Sequence, residues 1–169
     1  MKNICIFPLC QIGEAIQLDG EILTEVLKHK SRITFKHLKK NGVQPVLYMV
    51  EWFMCIFCRT LPWSTVLRIW DMFFFEGVKV LFKVAVVLLR CSLGTKQQIA
   101  QHPTMAEILE CLKRLPPEIM QEKFLVEQVI NIKIEDEELE YIHYKKVKEK
   151  LQQEQLKAKL AKKNAAKHA

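Results

Sequence analysis

The chain has 169 residues, half of them hydrophobic and 27% charged, with only five glycines and six prolines. That composition excludes disordered, low-complexity and collagen-like chains, and the length suits one ordinary domain. No stretch offers the ~18 uninterrupted apolar residues of a membrane-spanning helix; Val84 to Leu89 is fully apolar, but Lys83 and Arg90 close it on either side. The net charge of +7 belongs to the tail: residues 1–140 balance 17 Lys/Arg against 17 Asp/Glu, whereas 141–169 hold nine Lys against Glu149 and Glu154.

Between its glycines and prolines almost every segment reads as helix. After Asp19-Gly20, the residues Ile22, Leu23, Val26 and Leu27 repeat on one helical face. A second helix is predicted from Ser31, a good N-cap, to Asn41-Gly42, with Ile33, Phe35 and Leu38 inward. Pro45 suits a first helical turn, and Val46 to Thr60 is apolar nearly all round, predicting one helix buried on most sides and ended by Leu61-Pro62.

Ser64 is expected to cap the next helix, whose Val66, Leu67, Ile69, Trp70, Phe73 and Phe74 make a broad apolar surface closed by Gly77. Val78 to Leu93 is rich in strand-favouring valine. Its length and its spacing near 3.6 residues predict helix, closed by Gly94. Thr104-Met105-Ala106-Glu107 is a capping box opening a helix with Ile108, Leu109 and Leu112 inside. Pro116-Pro117 ends it and opens another through Phe124, Leu125 and Val129. From Glu135 an acidic start followed by lysine-rich turns predicts one long, largely solvated helix matched to its own dipole. The fold class is all-α, with about seven helices.

Chemistry-bearing constellations are scarce. Cys55 and Cys58 have C-x-x-C spacing inside an aromatic run, but no second ligand pair accompanies them; buried, reduced thiols are expected, and no metal or cofactor. His29, His37, His102, His143 and His168 sit in mostly polar settings without a nucleophile in a shared motif. Phosphate-binding glycine loops and the nucleophile elbow are absent. Met1 to Phe7 is apolar at its end, yet Pro8 interrupts it and no small-x-small cleavage site follows, so the sequence favours a cytoplasmic chain. Trp52, Trp63 and Trp70, with Phe53, Phe57, Phe73 and Phe74, are expected in the core rather than in a ligand-stacking box.

Four blocks, in order and correctly spaced, carry a resemblance: Leu47-Tyr48-Met49-Val50-Glu51-Trp52-Phe53, Arg59-Thr60-Leu61-Pro62, Leu67-Arg68-Ile69-Trp70-Asp71-Met72-Phe73-Phe74, and Glu76-Gly77-Val78-Lys79-Val80-Leu81-Phe82. Together they resemble the C-terminal half of a TBC domain. Flanking segments at 17–23 and 119–125 are similar to the subfamily that includes carabin. The resemblance divides the chain into an unassigned segment (1–14), a partial TBC domain (15–130) and a basic helical tail (131–169).

TBC domains are all-helical activators of Rab-type GTPases, so the resemblance implies a Rab partner and a role in vesicle trafficking. It further implies an arginine finger from I-x-x-D-x-x-R and a glutamine from Y-x-Q, both in the half of the domain that these blocks do not cover. A cation supplied in trans to the γ-phosphoryl group is worth on the order of 10³–10⁵ in rate. Ile16 and Asp19 open like the arginine motif, but Ile22 stands at its seventh position, and Tyr48, Tyr141 and Tyr144 lack glutamine two residues on. Trp52, Arg59, Leu61, Pro62, Arg68, Trp70, Asp71, Glu76 and Gly77 therefore read as structural motif residues, with Arg68 and Asp71 an i, i+3 ion pair.

The expectation is a truncated activator without its fingers and without activity of its own, its apolar faces left open to association. The alternative is a non-catalytic helical module that binds a GTPase or a scaffold. For the tail, a solvated helix, an anionic-membrane contact through Lys145, Lys146, Lys148 and Lys150, and a nucleic-acid contact all stand. The last is the least supported, because no aromatics interleave the later lysines.

Overall fold

Val80 to Leu89 is buried without a break, and that run organises the molecule. The computed structural model describes residues 12–165, and helices are the only regular elements among them. Most of the unassigned segment, including the Met1–Phe7 run with Cys5 and Cys10, lies outside the described residues, as does His168.

The helices are α1 (Ile12–Lys30), α2 (Arg32–Lys40), α3 (Val46–Met54), α4 (Trp63–Glu76), α5 (Lys79–Leu93), α6 (Lys96–Gln101), α7 (Met105–Lys113), α8 (Pro117–Met120), α9 (Glu122–Asn131) and α10 (Asp136–Ala165). The buried run belongs to α5, against which α1 to α4, α6, α7 and α9 all pack. A helix satisfies its own backbone, so it alone can be surrounded by apolar neighbours on every side at no hydrogen-bonding cost. Surroundings thus override the strand preference of its valines.

Ten helices rather than about seven arise from local details. Thr95 accepts from the Gln98 amide while Gln98 reaches back to the Thr95 amide, a capping box that opens α6 and that sequence reading passed over. The Thr104–Glu107 box opens α7 as expected. Gln121 is extended, at φ −61° and ψ 135°, which separates α8 from α9. Pro62, not Ser64, precedes α4.

Asp19-Gly20 does not open a helix, because α1 already starts at Ile12 and runs through it. A Cβ at Gly20 would lie 3.1 Å from Pro45 Cβ and 3.3 Å from Met49 Sδ, so the glycine lets α1 and α3 close on each other. Ser31 caps nothing through its side chain; its Oγ pairs with Thr34 Oγ1 at 2.7 Å instead. The inner face of α2 is then Thr34, His37 and Leu38, with Ile33 and Phe35 only half-buried. His37 is a core residue, donating from Nε2 to the His102 carbonyl at 2.8 Å.

The long C-terminal helix is present, but its first half is docked rather than solvated. Ile132 and Ile134 lead into it and Leu139 and Ile142 are buried, placing it along α1. Ion pairs bracket the contact: Lys79–Asp136 at 2.9 Å, Lys30–Glu138 at 2.8 Å, and Glu21 with Lys146 and Lys150 at 4.0 and 3.8 Å.

Asp19 is half-buried on α1, and desolvation pushes its carboxyl up to about 6, with the Lys150 charge opposing. The folded state therefore holds this proton more tightly than the unfolded chain. Stability falls as pH rises from about 4 to about 6, and the full penalty persists above that. Asp19→Asn is accordingly expected to stabilise the chain by about 1–3 kcal/mol near neutral pH and to be nearly neutral below about pH 4, as read by urea unfolding at both pH values.

Candidate functional site

The motif residues converge on the junction of α3, α4 and α5. Val46 to Thr60 is not one helix: α3 stops at Met54, and the chain turns sharply through Ile56 (φ 44°) and Phe57 (φ 60°). Side-chain-bearing residues seldom adopt this left-handed backbone, which costs on the order of 1–3 kcal/mol each unless the surroundings enforce it. Here they do. The Phe57 amide donates to the Trp52 carbonyl at 2.8 Å, and Trp70 Nε1 donates to the Ile56 carbonyl at 3.0 Å. Phe57 is fully buried, its ring 5.8 Å from Trp52.

Trp52, Leu61 and Trp70 are thus brought together as the clamp on this turn: Trp52 and Leu61 are buried, and Trp70 is half-buried. Phe53 meets Phe82 of α5 edge-on at 5.2 Å. Pro62 sits exposed at the N-cap of α4 and accepts from the Val66 amide at 3.0 Å. At the other end, Gly77 takes φ 81° and ψ −159°, a conformation reserved to glycine, and its amide donates to the Phe73 carbonyl at 2.8 Å. Glu76 reaches Lys83, which is buried in the middle of α5, at 3.1 Å, and Lys79 at 4.0 Å. Lys83, which borders the apolar run Val84 to Leu89 in sequence, is the one charge inside the buried run Val80 to Leu89, and Glu76 is its partner.

Both conspicuous arginines are exposed and engaged. Arg59 pairs with Glu51 at 3.2 Å. Arg68 lies between Asp71 at 3.5 Å and Glu122 at 3.2 Å, so the expected i, i+3 pair is part of a three-residue cluster reaching α9.

Two of the aromatics expected in the core are instead on the surface: Trp63 is 61% and Phe74 78% exposed, and Phe75 beside them is 91% exposed. With Leu67 and Trp70, Trp63 and Phe74 line one side of α4, and Trp63 stacks edge-on with Trp70 at 5.8 Å. The outer face of this helix turns its aromatic side chains to solvent because nothing in the described residues covers it. Cys55 is half-buried and Cys58 exposed rather than packed in a core. Burial pushes the Cys91 and Cys111 thiols up, which makes them poor nucleophiles. Among the described residues no group of three or more His, Cys, Asp or Glu is placed to hold a metal ion.

A groove of about 550 Å³ runs between α3, the following turn and α7, lined by Leu47, Val50, Met54, Cys55, Arg59 and Lys113. It offers apolar contact, the Arg59–Glu51 pair and the Lys113 ammonium, but no nucleophile paired with a base. These surfaces belong to an all-helical domain with an uncovered aromatic face on α4 and a groove beside α3.

Comparison with known proteins agrees. The Rab-GTPase-TBC domain family matches residues 2–99, which includes most of the segment left unassigned from sequence. The chain is 51% identical over 130 residues to TBC1 domain family member 10A of Mus musculus, covering 77% of this chain and 26% of that protein. It is 54% identical over 121 residues to TBC1 domain family member 10B of Homo sapiens, covering 72% and 15%. Carabin of Mus musculus is 39% identical over 145 residues, covering 80% and 33%. The chain belongs to the Rab-GTPase-TBC domain family and spans a third or less of the length of these three relatives.

Two substitutions test the junction. Trp70→Phe keeps the ring but leaves the Ile56 carbonyl without its donor, and is expected to cost about 1–2 kcal/mol in urea unfolding. Nothing lies within 4 Å of a Cβ built at Gly77. Gly77→Ala is therefore expected to lose about 1–3 kcal/mol through backbone conformation alone, whereas Gly77→Ser should cost the same and no more.

Proposed function

We propose that this chain forms the supporting portion of a Rab-directed GTPase-activating domain and does not itself accelerate GTP hydrolysis. Neither I-x-x-D-x-x-R nor Y-x-Q occurs in its 169 residues. The observation that carries the reading is the charge environment of the two candidate guanidiniums. A finger works by bringing net positive charge to the γ-phosphoryl oxygens. Arg68 stands between two carboxylates, a cluster with formal net charge −1 that would repel a triphosphate, and Arg59 is neutralised by Glu51. Asp19, the acidic residue of the partial arginine motif, is half-buried on α1, with the Lys150 charge of α10 near it.

A second reading, a non-catalytic module that binds a GTPase or a scaffold, is favoured by the uncovered stripe of Trp63, Leu67, Trp70 and Phe74 on α4. Contiguous exposed aromatic surface of this kind marks an interaction site. A cytoplasmic setting fits both readings, since Cys55, Cys58, Cys91 and Cys111 are all free thiols.

Single-turnover GTP hydrolysis by a panel of Rab GTPases decides the catalytic question. The purified chain is expected to leave each intrinsic rate unchanged, and Arg59→Ala and Arg68→Ala to make no difference. A stimulation of tenfold or more that either substitution abolishes would overturn the proposal. Pull-down against the same panel, with and without Phe74→Ser, then tests the binding module; Rab capture that Phe74→Ser removes supports it, and no capture refutes it.

A further inference from the structure

One side of α10 is consumed by α1. Ile142 is buried, Lys146 and Lys150 face the Glu21 carboxylate at 4.0 and 3.8 Å, and Lys146 also holds Glu149 at 3.1 Å. Two of the four lysines expected to reach outward are therefore committed inward. The opposite side presents Tyr141, Tyr144, Lys145, Lys148, Leu151 and Leu156, all exposed, with the two tyrosines 69% and 67% accessible. At 3.6 residues per turn, these six occupy an arc of about 140°. Between 141 and 156 the helix has two glutamates, 149 and 154, and neither falls in the arc by helical position.

We infer that this outward face of α10 lies against an anionic lipid surface. Lysines meet headgroup charge, tyrosines prefer the depth of the headgroups, and leucines gain from the boundary with the acyl chains. The lysines stand between the two leucines, so the contact is shallow and follows the surface rather than entering the hydrocarbon. Charge complementarity extends along the chain, because the sequence after Leu156 adds five lysines and no carboxylate. In the acidic start of α10, Asp136 and Glu138 are paired with Lys79 and Lys30 of the body, whereas the exposed Glu137 shares the outward face by helical position, so the lipid contact is placed from Tyr141 onward. A nucleic-acid backbone would engage the lysines but leave Leu151 and Leu156 in water. This inference is independent of the catalytic reading.

Co-sedimentation of the full chain with vesicles tests it. Binding to vesicles containing phosphatidylserine, and none to phosphatidylcholine alone, is expected. Lys145→Gln with Lys148→Gln should weaken binding about thirty-fold, and Leu151→Ser with Leu156→Ser several-fold at unchanged charge. Lys146→Gln with Lys150→Gln, which removes the same charge from the docked side, should weaken it no more than about threefold. Circular dichroism checks that each variant keeps the helicity of the parent. Equal losses from both lysine pairs, indifference to the leucines, or equal binding to neutral vesicles would each overturn the assignment. So would binding to a DNA duplex or to RNA without binding to anionic vesicles. Should the inward pair fail to fold, the leucine pair and the neutral vesicles still decide.

Discussion

A charged lysine in the middle of the most buried helix is tolerable only with a partner, and Glu76 supplies it from the end of α4. Lys83 lies within a run that neighbours enclose on all sides, where an unpaired ammonium would be far costlier than the contacts around it could offset. The Glu76 carboxylate can be there because Gly77 lets the chain turn directly out of α4 and into α5. Lys79, one turn before Lys83, extends the same cluster to Asp136 and so to α10. The hub, the helix before it and the C-terminal helix therefore meet through one small group of charges. Much of the remaining architecture is packing around α5, and packing of that kind is forgiving of exchange between similar apolar residues. The charge cluster is not.

The left-handed turn after α3 depends on the same neighbourhood. Ile56 and Phe57 adopt backbone conformations that their side chains oppose, and they keep them because Phe57 is buried against Trp52 and because the Trp70 indole holds the Ile56 carbonyl. Trp52, Trp70 and Glu76, scattered along the chain, thus meet where α3, α4 and α5 join. On the proposed reading, prominent arginines and tryptophans can occupy a domain's signature blocks as parts of its frame.

What could be read in the sequence was what is decided locally. Gly77 as a terminator and the Thr104–Glu107 box depend on residues within one turn of each other. The helical period of α5 was legible too. Thr95–Gln98 carries the same kind of signal, but its helix is too short to show a hydrophobic period. Contacts distant in sequence left no such trace. Nothing near Thr60 announces that an indole fourteen residues beyond Ile56 will break the helix, and Lys30–Glu138 joins residues 108 apart. Composition also cannot say which aromatic lacks a neighbour: Trp52 and Trp63 are equivalent to a hydropathy count, yet one is buried and the other faces water.

Among the described residues, the last ion pair that holds α10 to the body is that of Lys150, and the described side chains beyond it are exposed. Its last fifteen residues continue for about 22 Å past the final ion pair. Such a rod is a cantilever. A small displacement toward Ala165 becomes a rotation about the clamped turns, so a grip on that end is passed to the bundle. Fastening at Glu21, Lys30 and Lys79 also sends any load into α1 and α5, against which most of the other helices pack.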